Sequence, residues 1–409
     1  MSRRYIVPIL ALSVLIAGIG LPATVHAQDN CNFAGEARIG IIAPLTGAIY
    51  RVGQSTVTGA ELAIDQINAA CGLQIGGENY EVVPVLENNN SEPEASVEVA
   101  TRLITEENVI VIIGPQASSQ AVPTAEVANE YETPMISPWS TNPNTTLGRP
   151  WVFRVALLDP WQGQIIANFA MQYYDAQTAA VLYSSDSDYP RGLAENFREA
   201  FEAAGGQVVA FEDFLTGVRD FRSQLDTIKD SNPDVLFVPQ YYNEVPRIVL
   251  QARDSGYDGP IIGSDSWGTP ELLELCNPFC DGLFFSAHYA PEIVDPAFIE
   301  AYQERYQMVP DDVAALTYDA FQFLFQAIED ADSLDRAAIR DALANIREFD
   351  GVTGHMIFNE QGDPTKCAVI NQIIEGQVVY YESVCPADFP GSEENAPEQE
   401  ATPTQENGS

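Results

Sequence analysis

Residues 109–120 carry the strongest fold signal in the chain, and they are Val109-Ile110-Val111-Ile112-Ile113-Gly114-Pro115-Gln116-Ala117-Ser118-Ser119-Gln120. Their continuous apolar half is typical of a strand that is buried on both faces, and the Gly-Pro pair ends that strand. Ser118 and Ser119 then come where a helix is expected to begin. Because backbone N–H groups and the dipole at a helix N-terminus favour negative charge, we expect an anion-binding corner at this point.

Two later strands also end in polar residues. Met135-Ile136-Ser137-Pro138-Trp139-Ser140-Thr141 brings more hydroxyl groups, whereas Ile261-Ile262-Gly263-Ser264-Asp265 brings a carboxylate. Ligands of open parallel sheets bind beyond the carboxyl ends of the strands, so these ends are expected to face one site. Hydroxyl groups and free amides can hold a carboxylate, and an acid shielded from water needs a cation. The combination suits a free amino acid, which carries both charges.

Each of these residues also has a purely structural interpretation. Ser118 and Ser140 could be helix caps, which is the commonest use of serine at such positions. Asp265 could be a solvated loop acid in a chain with 59 acidic residues. For each residue alone the structural interpretation is favoured. The functional interpretation depends on the residues acting as one pattern.

Two more strand ends could line the same site. Gln240-Tyr241-Tyr242-Asn243 carries two aromatic residues. Tyr241 could cover an apolar ligand side chain or an ammonium group, while Tyr242 packs in the core. Ala43-Pro44-Leu45-Thr46-Gly47, followed by Tyr50, predicts a wall of a cleft. That loop lacks the GxGxxG spacing and the lysine of phosphate-binding loops, so we expect no nucleotide.

The sequence offers little for metal, cofactor or covalent chemistry, and we predict neither a metal site nor a cofactor. Asp186-Ser187-Asp188 lacks the glycine and the closing glutamate of a calcium loop. Beyond the first 27 residues only His288 and His355 remain as histidines, and neither lies near a nucleophile motif. The chain is therefore predicted not to be an enzyme. A secreted hydrolase that uses paired carboxylates, as glycosidases do, is the less favoured alternative.

Residues 1–27 have the pattern of a secretory signal. Arg3 and Arg4 precede an apolar stretch over 6–21, and Val25-His26-Ala27 fits the small-residue cleavage rule. A membrane anchor is the competing interpretation, but the apolar stretch is short for a span. The polar residues before Cys31 do not match a lipid-attachment site. We therefore expect cleavage near Ala27 and a soluble, monomeric protein in the periplasm or outside the cell.

The chain is strongly acidic. Its formal net charge is −40 at pH 7, and loss of the two signal arginines, with no signal acid, would bring it from −40 to −42. A surface of this charge repels nucleic acid and anionic lipid, so both are excluded as partners. Residues 386–409 are rich in Pro, Glu, Gln, Thr, Ser and Gly, and are predicted to form a disordered acidic tail.

All six cysteines follow the predicted signal, and an even count in an exported chain predicts disulfides. Their spacing favours three local pairs: Cys31–Cys71, Cys276–Cys280 and Cys367–Cys385. The last pair lies symmetrically about Gly376, so a hairpin with the three-residue loop Glu375-Gly376-Gln377 would place the two cysteines opposite each other. A zinc site is the competing interpretation, but no CxxC pair is present and histidine is scarce.

Apolar runs of strand length alternate with helical periodicity along most of the chain. One series of strands runs from Arg38–Ala43 to Pro134–Ser137, and a second from Thr178–Tyr183 to Gly282–Ser286. Strands that alternate with helices of this length imply parallel sheets covered on both faces, and two series imply two similar lobes. A helical stretch over 296–346 and the hairpin around Gly376 follow.

The chain resembles the leucine/isoleucine/valine-binding family of exported amino-acid-binding proteins of bacterial ABC importers, over about residues 36 to 385. The resemblance implies an α/β type I periplasmic-binding (Venus-flytrap) fold, with two Rossmann-like lobes, parallel sheets and a three-stranded hinge. It rests on motifs in a shared order: Ile42-Ala43-Pro44-Leu45-Thr46-Gly47, Ile113-Gly114-Pro115 with Ser118-Ser119, Ile136-Ser137-Pro138 with Thr141-Asn142-Pro143, Phe153-Arg154 with Asp159 and Gln162-Gly163, Tyr189 with Gly192, and Ile262-Gly263-Ser264-Asp265.

The resemblance also implies which residues bind the ligand. The six residues are Ser118, Trp139, Thr141, Tyr189, Tyr241 and Asp265. Ser118 and Thr141 would bind the ligand carboxylate, the Trp139 backbone would face the amine, and Asp265 would bind the ammonium group. Further possible contacts are Tyr50, Ser119, Ser140 and Trp267. Trp139 stands where a small residue is common in the family, and Trp267 closely follows the acid, so both could narrow the pocket or favour a flat ligand.

The lobe boundaries and the mechanism follow from the same resemblance. Lobe 1 would comprise 36–158 plus 289–364, and lobe 2 would comprise 159–288 plus 365–385, with crossings near Leu158, His288 and Pro364. A free amino acid, branched-chain or related hydrophobic, would bind between the open lobes, which then close on it. The closed form would deliver it to a membrane permease of the ABC type. A same-fold binding protein for an amide or urea-like solute is the alternative, and the charge of Asp265 argues against it.

Overall fold

Strands and helices alternate through two successive series. The computed structural model describes residues 31–387, 389 and 390, so the predicted signal and most of the predicted tail lie outside the described residues. The first series consists of β1 (Phe33–Ala43), α1 (Tyr50–Ala69), β2 (Leu73–Ile75), β3 (Glu78–Asn88), α2 (Pro93–Thr105), β4 (Val111–Ile113), α3 (Ser118–Glu130), β5 (Met135–Ser137) and β6 (Val152–Arg154).

The second series begins with a helix, and a helical segment and a terminal hairpin follow it. Its elements are α4 (Asp159–Tyr173), β7 (Thr178–Ser184), α5 (Asp188–Ala203), β8 (Gln207–Phe214), α6 (Arg222–Ser231), β9 (Val235–Phe237), α7 (Val245–Asp254), β10 (Ile261–Gly263), α8 (Pro270–Cys276) and β11 (Phe284–Ala287). The remaining elements are α9 (Pro296–Tyr306), α10 (Asp312–Ala331), α11 (Arg336–Asn345), β12 (Glu348–Gly351), β13 (Gly354–Phe358), β14 (Pro364–Thr365), β15 (Ala368–Ile374) and β16 (Gln377–Val384). Among the described residues, no helix combines the length and the apolar character needed to cross a bilayer.

The first sheet has six strands in the order β2-β3-β1-β4-β5-β6. Its pairings are parallel except that of β2 with β3. Ile41 and Ile113 pack in one apolar core, whereas Ile42 and Ile112 pack in another. Successive strand residues therefore face opposite sides, and both sides are covered, which explains why these strands appear in the sequence as unbroken apolar runs.

The second sheet has seven strands in the order β16-β15-β11-β10-β9-β7-β8. Strands β7 to β11 pair in parallel, and β15 and β16 add an antiparallel edge. The two sheets form the two lobes of an α/β fold, as predicted. A third, three-stranded sheet joins β12, β13 and β14. The residue numbers at which one lobe gives way to the other stay a prediction.

The helical stretch predicted over 296–346 is three helices rather than one. Gln307 and Asp332 adopt left-handed conformations, with φ of 58° and 46°, and end α9 and α10. The Asp311 side chain accepts a hydrogen bond from the Ala314 backbone N–H at 2.9 Å and caps the start of α10. Helix α10 packs against α1, which places the segment on the first sheet.

The terminal hairpin corrects the predicted loop. Ile374 pairs with Gln377, so the loop has two residues, Glu375 and Gly376, with φ of 51° and 74°. Positive φ at both positions defines the turn that matches strand twist. A two-residue loop alone would shift the cysteines out of register. An irregularity between Ile370 and Asn371 adds one residue to β16, and this realigns Cys367 with Cys385.

The structure contains three disulfides, which are the same three pairs that the spacing favoured. They join Cys31 to Cys71, Cys276 to Cys280 and Cys367 to Cys385.

Candidate functional site

Ser118 follows β4 after a short turn, and the backbone of that turn requires a glycine at its first position, Gly114. Gly114 has φ of +94°, and a Cβ there would collide with the carbonyl oxygen of Ile42. Helix α3 is preceded by Ala117 as its N-cap residue, and no side chain caps it. The interpretation of Ser118 as a helix cap is therefore wrong: it is the first helical residue. Its Oγ accepts a hydrogen bond from Ser140 Oγ at 2.9 Å.

The loop after β5 carries Ser140 and Thr141, and a buried arginine holds it in place. Arg154 Nη1 donates to the Ser140 carbonyl oxygen at 2.8 Å, and Arg154 Nε donates to Asp363 Oδ1 at 2.6 Å. Burial lowers the pKa of Arg154, and the charge of Asp363 opposes that shift. The short 3-10 helix Pro143–Thr145 follows in this loop, but its N-cap residue is Asn142. Ser140 Oγ instead lies 2.8 Å from Thr145 Oγ1, so Ser140 is not a helix cap either.

Asp265 and Tyr189 form the opposite wall, beyond the ends of β10 and β7. The Tyr189 hydroxyl lies 2.6 Å from Asp265 Oδ1 and 2.7 Å from Ser264 Oγ. Burial first, and then the Asp265 charge, raise the pKa of Tyr189 well above its ordinary value. The phenol therefore stays protonated and donates to the carboxylate, which it holds in position.

His288 lies behind Asp265 and joins it to the chain crossings. Its Nδ1 accepts a hydrogen bond from the Leu157 backbone N–H at 3.1 Å, so the ring proton is on Nε2. His288 Nε2 is 3.4 Å from Asp265 Oδ2 but is not aligned to form a hydrogen bond. The His288 backbone N–H donates to Asp312 Oδ1 at 3.1 Å. The sequence indicated His288 only as a crossing between the lobes. The one further signal was that histidine is scarce in this chain.

Residues from both sheets enclose a narrow crevice. Its lining residues are Gln116, Ala117, Ser118, Trp139, Tyr189, Tyr241 and Asp265. The space between them totals about 150 Å³, and none of it is wide enough to admit a water molecule. A groove of about 1210 Å³ that includes Pro270 and Tyr289 is far larger, but it is open to solvent and contains none of the predicted residues. The crevice is the better candidate because the predicted residues converge in it.

Three aromatic rings form the body of the crevice. The ring centroids of Trp139 and Tyr189 are 6.4 Å apart, those of Trp139 and Tyr241 are 6.1 Å apart, and those of Tyr189 and Tyr241 are 5.1 Å apart. Because Trp139 comes from the first sheet and the tyrosines from the second, the aromatic contacts join the two lobes. Burial is also the main reason why the pKa of Tyr241 lies well above its ordinary value.

The structure brings five of the six predicted ligand-binding residues into this crevice, and Thr141 is not among its lining residues. Thr141 is fully buried beside Asp159, although its hydroxyl makes no hydrogen bond to a described residue. The four further possible contacts also lie outside the lining. Ser119 and Tyr50 are half-buried, and Ser140 lies behind Ser118.

The last of these four, Trp267, does not narrow the crevice. It is fully buried and packs flat against Gly263. Tyr242 is buried as predicted, and its hydroxyl accepts a hydrogen bond from the Arg51 backbone N–H at 3.2 Å. Gln116 and Ala117 line the crevice but were not predicted to do so. Their place between a strand end and Ser118 was the signal that could have found them.

Among the residues that the structure describes, no group of three or more His, Cys, Asp or Glu side chains is placed to hold a metal ion. All cysteines in the described part of the chain are paired.

A family model for periplasmic binding proteins matches residues 36–377. The leucine-, isoleucine-, valine-, threonine- and alanine-binding protein of Pseudomonas aeruginosa is 28% identical over 334 residues, which are 81% of this chain and 87% of that protein.

Two solved structures are similar over most of their length. The leucine binding protein LivK from Thermotoga maritima has a TM-score of 0.82 and 35% identity, covering 86% of this chain and all of that one. The branched-chain amino acid transporter substrate binding protein LivJ from Streptococcus pneumoniae, solved in complex with isoleucine, has a TM-score of 0.77 and 31% identity, covering 85% of this chain and all of that one. The chain therefore belongs to the periplasmic binding protein family.

Proposed function

We propose that this protein is the extracytoplasmic solute-binding component of an ABC importer. It captures a free amino acid, branched-chain or related hydrophobic, between two closing lobes and delivers it to a membrane permease. The observation that carries this proposal is that Ser118 and Asp265, which come from different sheets, line one enclosed crevice. The similarity to binding proteins for leucine, isoleucine and valine supports the same class of ligand.

Each charged end of the ligand has a matching wall. The Ser118 hydroxyl and the backbone N–H groups of Ser118 and Ser119 bind the carboxylate, since Gln120 and Ala121 already donate to the Ala117 carbonyl oxygen at 3.0 and 2.8 Å. Asp265 binds the ammonium group, and Tyr189 holds Asp265 in place. Tyr241 and the Trp139 backbone complete the contacts. Thr141 joins Ser118 at the carboxylate once the walls move apart.

Binding requires the lobes to open, because the crevice is too narrow to admit a molecule from solvent as it stands. Contacts between elements of the two lobes bridge its edges. Arg51 Nε donates to Glu271 Oε2 at 3.3 Å, and Asn142 Nδ2 donates to the Asp188 carbonyl oxygen at 3.1 Å. We propose that the lobes are 36–158 plus 289–364 and 159–288 plus 365–385, and that the three crossings act as the hinge.

The side chains of the crevice favour binding over catalysis. Asp265 is the one carboxylate among the lining residues, so no acid pair of the glycosidase kind is assembled there. His288, the histidine beside Asp265, already accepts a hydrogen bond from a backbone N–H at Nδ1. Asp265 also disfavours an amide or urea-like solute, because a neutral ligand would leave a buried carboxylate without a cation. The proposal includes a periplasmic, monomeric protein that has lost residues 1–27.

Calorimetry with the twenty common amino acids tests the proposal. We expect at least one to bind, and Asp265→Asn to weaken that binding by about 2–5 kcal/mol, since the ammonium group would lose its charge partner. Asp230→Asn, at an exposed position on α6, is the matched control and should bind normally. Failure of every amino acid to bind, or normal binding by Asp265→Asn, would overturn the proposal.

A further inference from the structure

The crevice holds more hydrogen-bonding groups than the two charged ends of a free amino acid require. Under the proposed function, Ser118 and α3 serve the carboxylate, and Asp265 and the Tyr241 hydroxyl serve the ammonium group. The side chains of Gln116 and Trp139 line the same space and have no part in either role.

The Gln116 amide is fully buried and only half satisfied. Its Nε2 is 3.4 Å from Thr317 Oγ1, a long hydrogen bond, and its Oε1 has no hydrogen-bond partner among the described residues. If the amide were rotated by 180°, Thr317 would satisfy the oxygen and the NH₂ group would be left over. One end of the amide is therefore free in either orientation.

The Trp139 indole N–H is likewise buried and unsatisfied among the described residues. Trp139 is 4% exposed, and its Nε1 has no acceptor in the described part of the chain. The Tyr241 hydroxyl is likewise without a partner, since the nearby Ser187 hydroxyl is not in hydrogen-bond geometry. Buried polar groups are nearly always hydrogen-bonded in proteins, so groups left free in a binding crevice are expected to be satisfied by the ligand.

We infer that the side chain of the captured amino acid carries a neutral hydrogen-bonding group, a hydroxyl or a carboxamide, which pairs with the Gln116 amide and the Trp139 indole N–H. The inference rests on the proposed function, since it keeps a free amino acid as the ligand, and it departs from that proposal in the side chain, which it takes to be polar and neutral instead of purely aliphatic. A basic side chain would need a second acid, and Asp265 is the one acid among the lining residues. An acidic side chain would need a cation, and the lining includes none.

Pairs of amino acids with the same shape test the inference without any mutation. Threonine differs from valine by a hydroxyl in place of a methyl group, and asparagine differs from leucine by a carboxamide in place of an isopropyl group. In calorimetry with the purified chain, we expect the polar member of at least one pair to bind roughly tenfold more tightly or better, because the apolar member leaves buried polar groups unpaired.

Two variants assign the preference to its residues. Gln116→Met replaces the carboxamide by an apolar group of similar size. Trp139→Phe removes the indole N–H and keeps an aromatic ring. Each should reduce the gap within the preferred pair severalfold, mainly by weakening the polar member. Gln361→Met, at an exposed position, should leave the gap unchanged. Thermal unfolding confirms that each variant is folded before its affinities are compared.

The outcomes separate this inference from the proposed function. If amino acids bind but the apolar members are equal or better in both pairs, the inference fails and the proposed function stands. A polar preference that survives both variants also overturns the assignment to Gln116 and Trp139. If no amino acid binds at all, the proposed function itself fails.

Discussion

At the residue scale, neighbours in the sequence have different surroundings in the fold. Ser118 and Ser119 both begin α3, but only Ser118 lines the crevice. Ser140 supports Ser118 from behind through the 2.9 Å hydrogen bond between their hydroxyls. The direction in which each side chain leaves the first turn of the helix decides which one can reach a ligand.

This difference gives a prediction at adjacent positions. Ser118→Ala should weaken ligand binding by about 1.5–3 kcal/mol, the usual value of a hydrogen bond to a charged group. Ser119→Ala should have less than a third of that effect. Calorimetry with the best ligand measures both. Equal losses at the two positions would mean that the helix terminus, and not the Ser118 hydroxyl, binds the carboxylate.

At the element scale, the disulfides close loops of very different length. Cys31 and Cys71 are 40 residues apart and join the start of β1 to the end of α1, whereas Cys276 and Cys280 are 4 residues apart at the end of α8. A cross-link that closes a long loop removes more conformational freedom from the unfolded chain than one that closes a short loop.

The loop lengths predict a rank order of stability losses. Replacing both cysteines of a pair by serine should cost about 4 kcal/mol for Cys31–Cys71, about 3 kcal/mol for Cys367–Cys385 and about 2 kcal/mol for Cys276–Cys280. Urea unfolding of the three double variants gives the free energies. The short-loop pair is the internal control, and the idea fails if its loss is the largest of the three.

At the scale of the whole molecule, buried titratable side chains cluster where the chain passes between the lobes. Asp159, His288, Asp312 and Lys366 are all nearly inaccessible to solvent. Burial raises the pKa of Asp159 to about 7, and the Asp265 charge adds to the shift, whereas the Arg154 charge opposes it. Burial also raises the pKa of Asp312 to about 7, against the opposing charge of Lys366.

These pKa values predict a fall in stability as the pH rises from about 4 to about 7. In that window the folded protein holds protons that the unfolded chain releases, so the free energy of unfolding decreases with pH. Each group contributes on the order of 4 kcal/mol at most. Asp159→Asn, which mimics the protonated acid, should match the wild type near pH 4 and be more stable at pH 8. Thermal unfolding across this range measures the difference, and a difference independent of pH would contradict the assignment.

An ion pair between partly exposed side chains joins the two lobes. Arg51 on α1 and Glu271 on α8 are 3.3 Å apart, and their side chains are 42% and 18% exposed. Partly solvated pairs of this kind contribute only about 0.2–1 kcal/mol. Because Arg51 and Glu271 belong to different lobes, this energy favours the closed form.

We therefore expect Arg51→Ala to weaken ligand binding by less than about fivefold, through faster dissociation, with unchanged thermal stability of the ligand-free protein. Stopped-flow measurements of ligand release test this. Arg222→Ala removes an exposed ion pair with Asp220 that lies within one lobe, and it should leave the release rate unaltered. A slower association rate in Arg51→Ala, with normal release, would argue against a role in holding the lobes closed.

The α/β class, the two series of strands and the polar residues at the strand ends could all be predicted from the amino-acid sequence. Period and composition within a short window are enough for this, because a strand buried on both faces must be apolar throughout and must end where glycine, proline or serine follows. The pattern around Val111–Ile113 and Ile261–Gly263 shows this most plainly. Local turn residues also predicted the hairpin at Gly376. They did not predict its two-residue loop or the extra residue in β16.

Which polar side chains share one space depends on how the two lobes pack, and this the folded structure shows. Ser118 and Asp265 meet because two sheets, built from distant parts of the chain, face each other across one crevice. The same packing left Thr141 outside the lining and buried Trp267 against Gly263. No local pattern predicts such placements, because the direction of a side chain beyond a strand end depends on how helices and sheets far apart in sequence pack together.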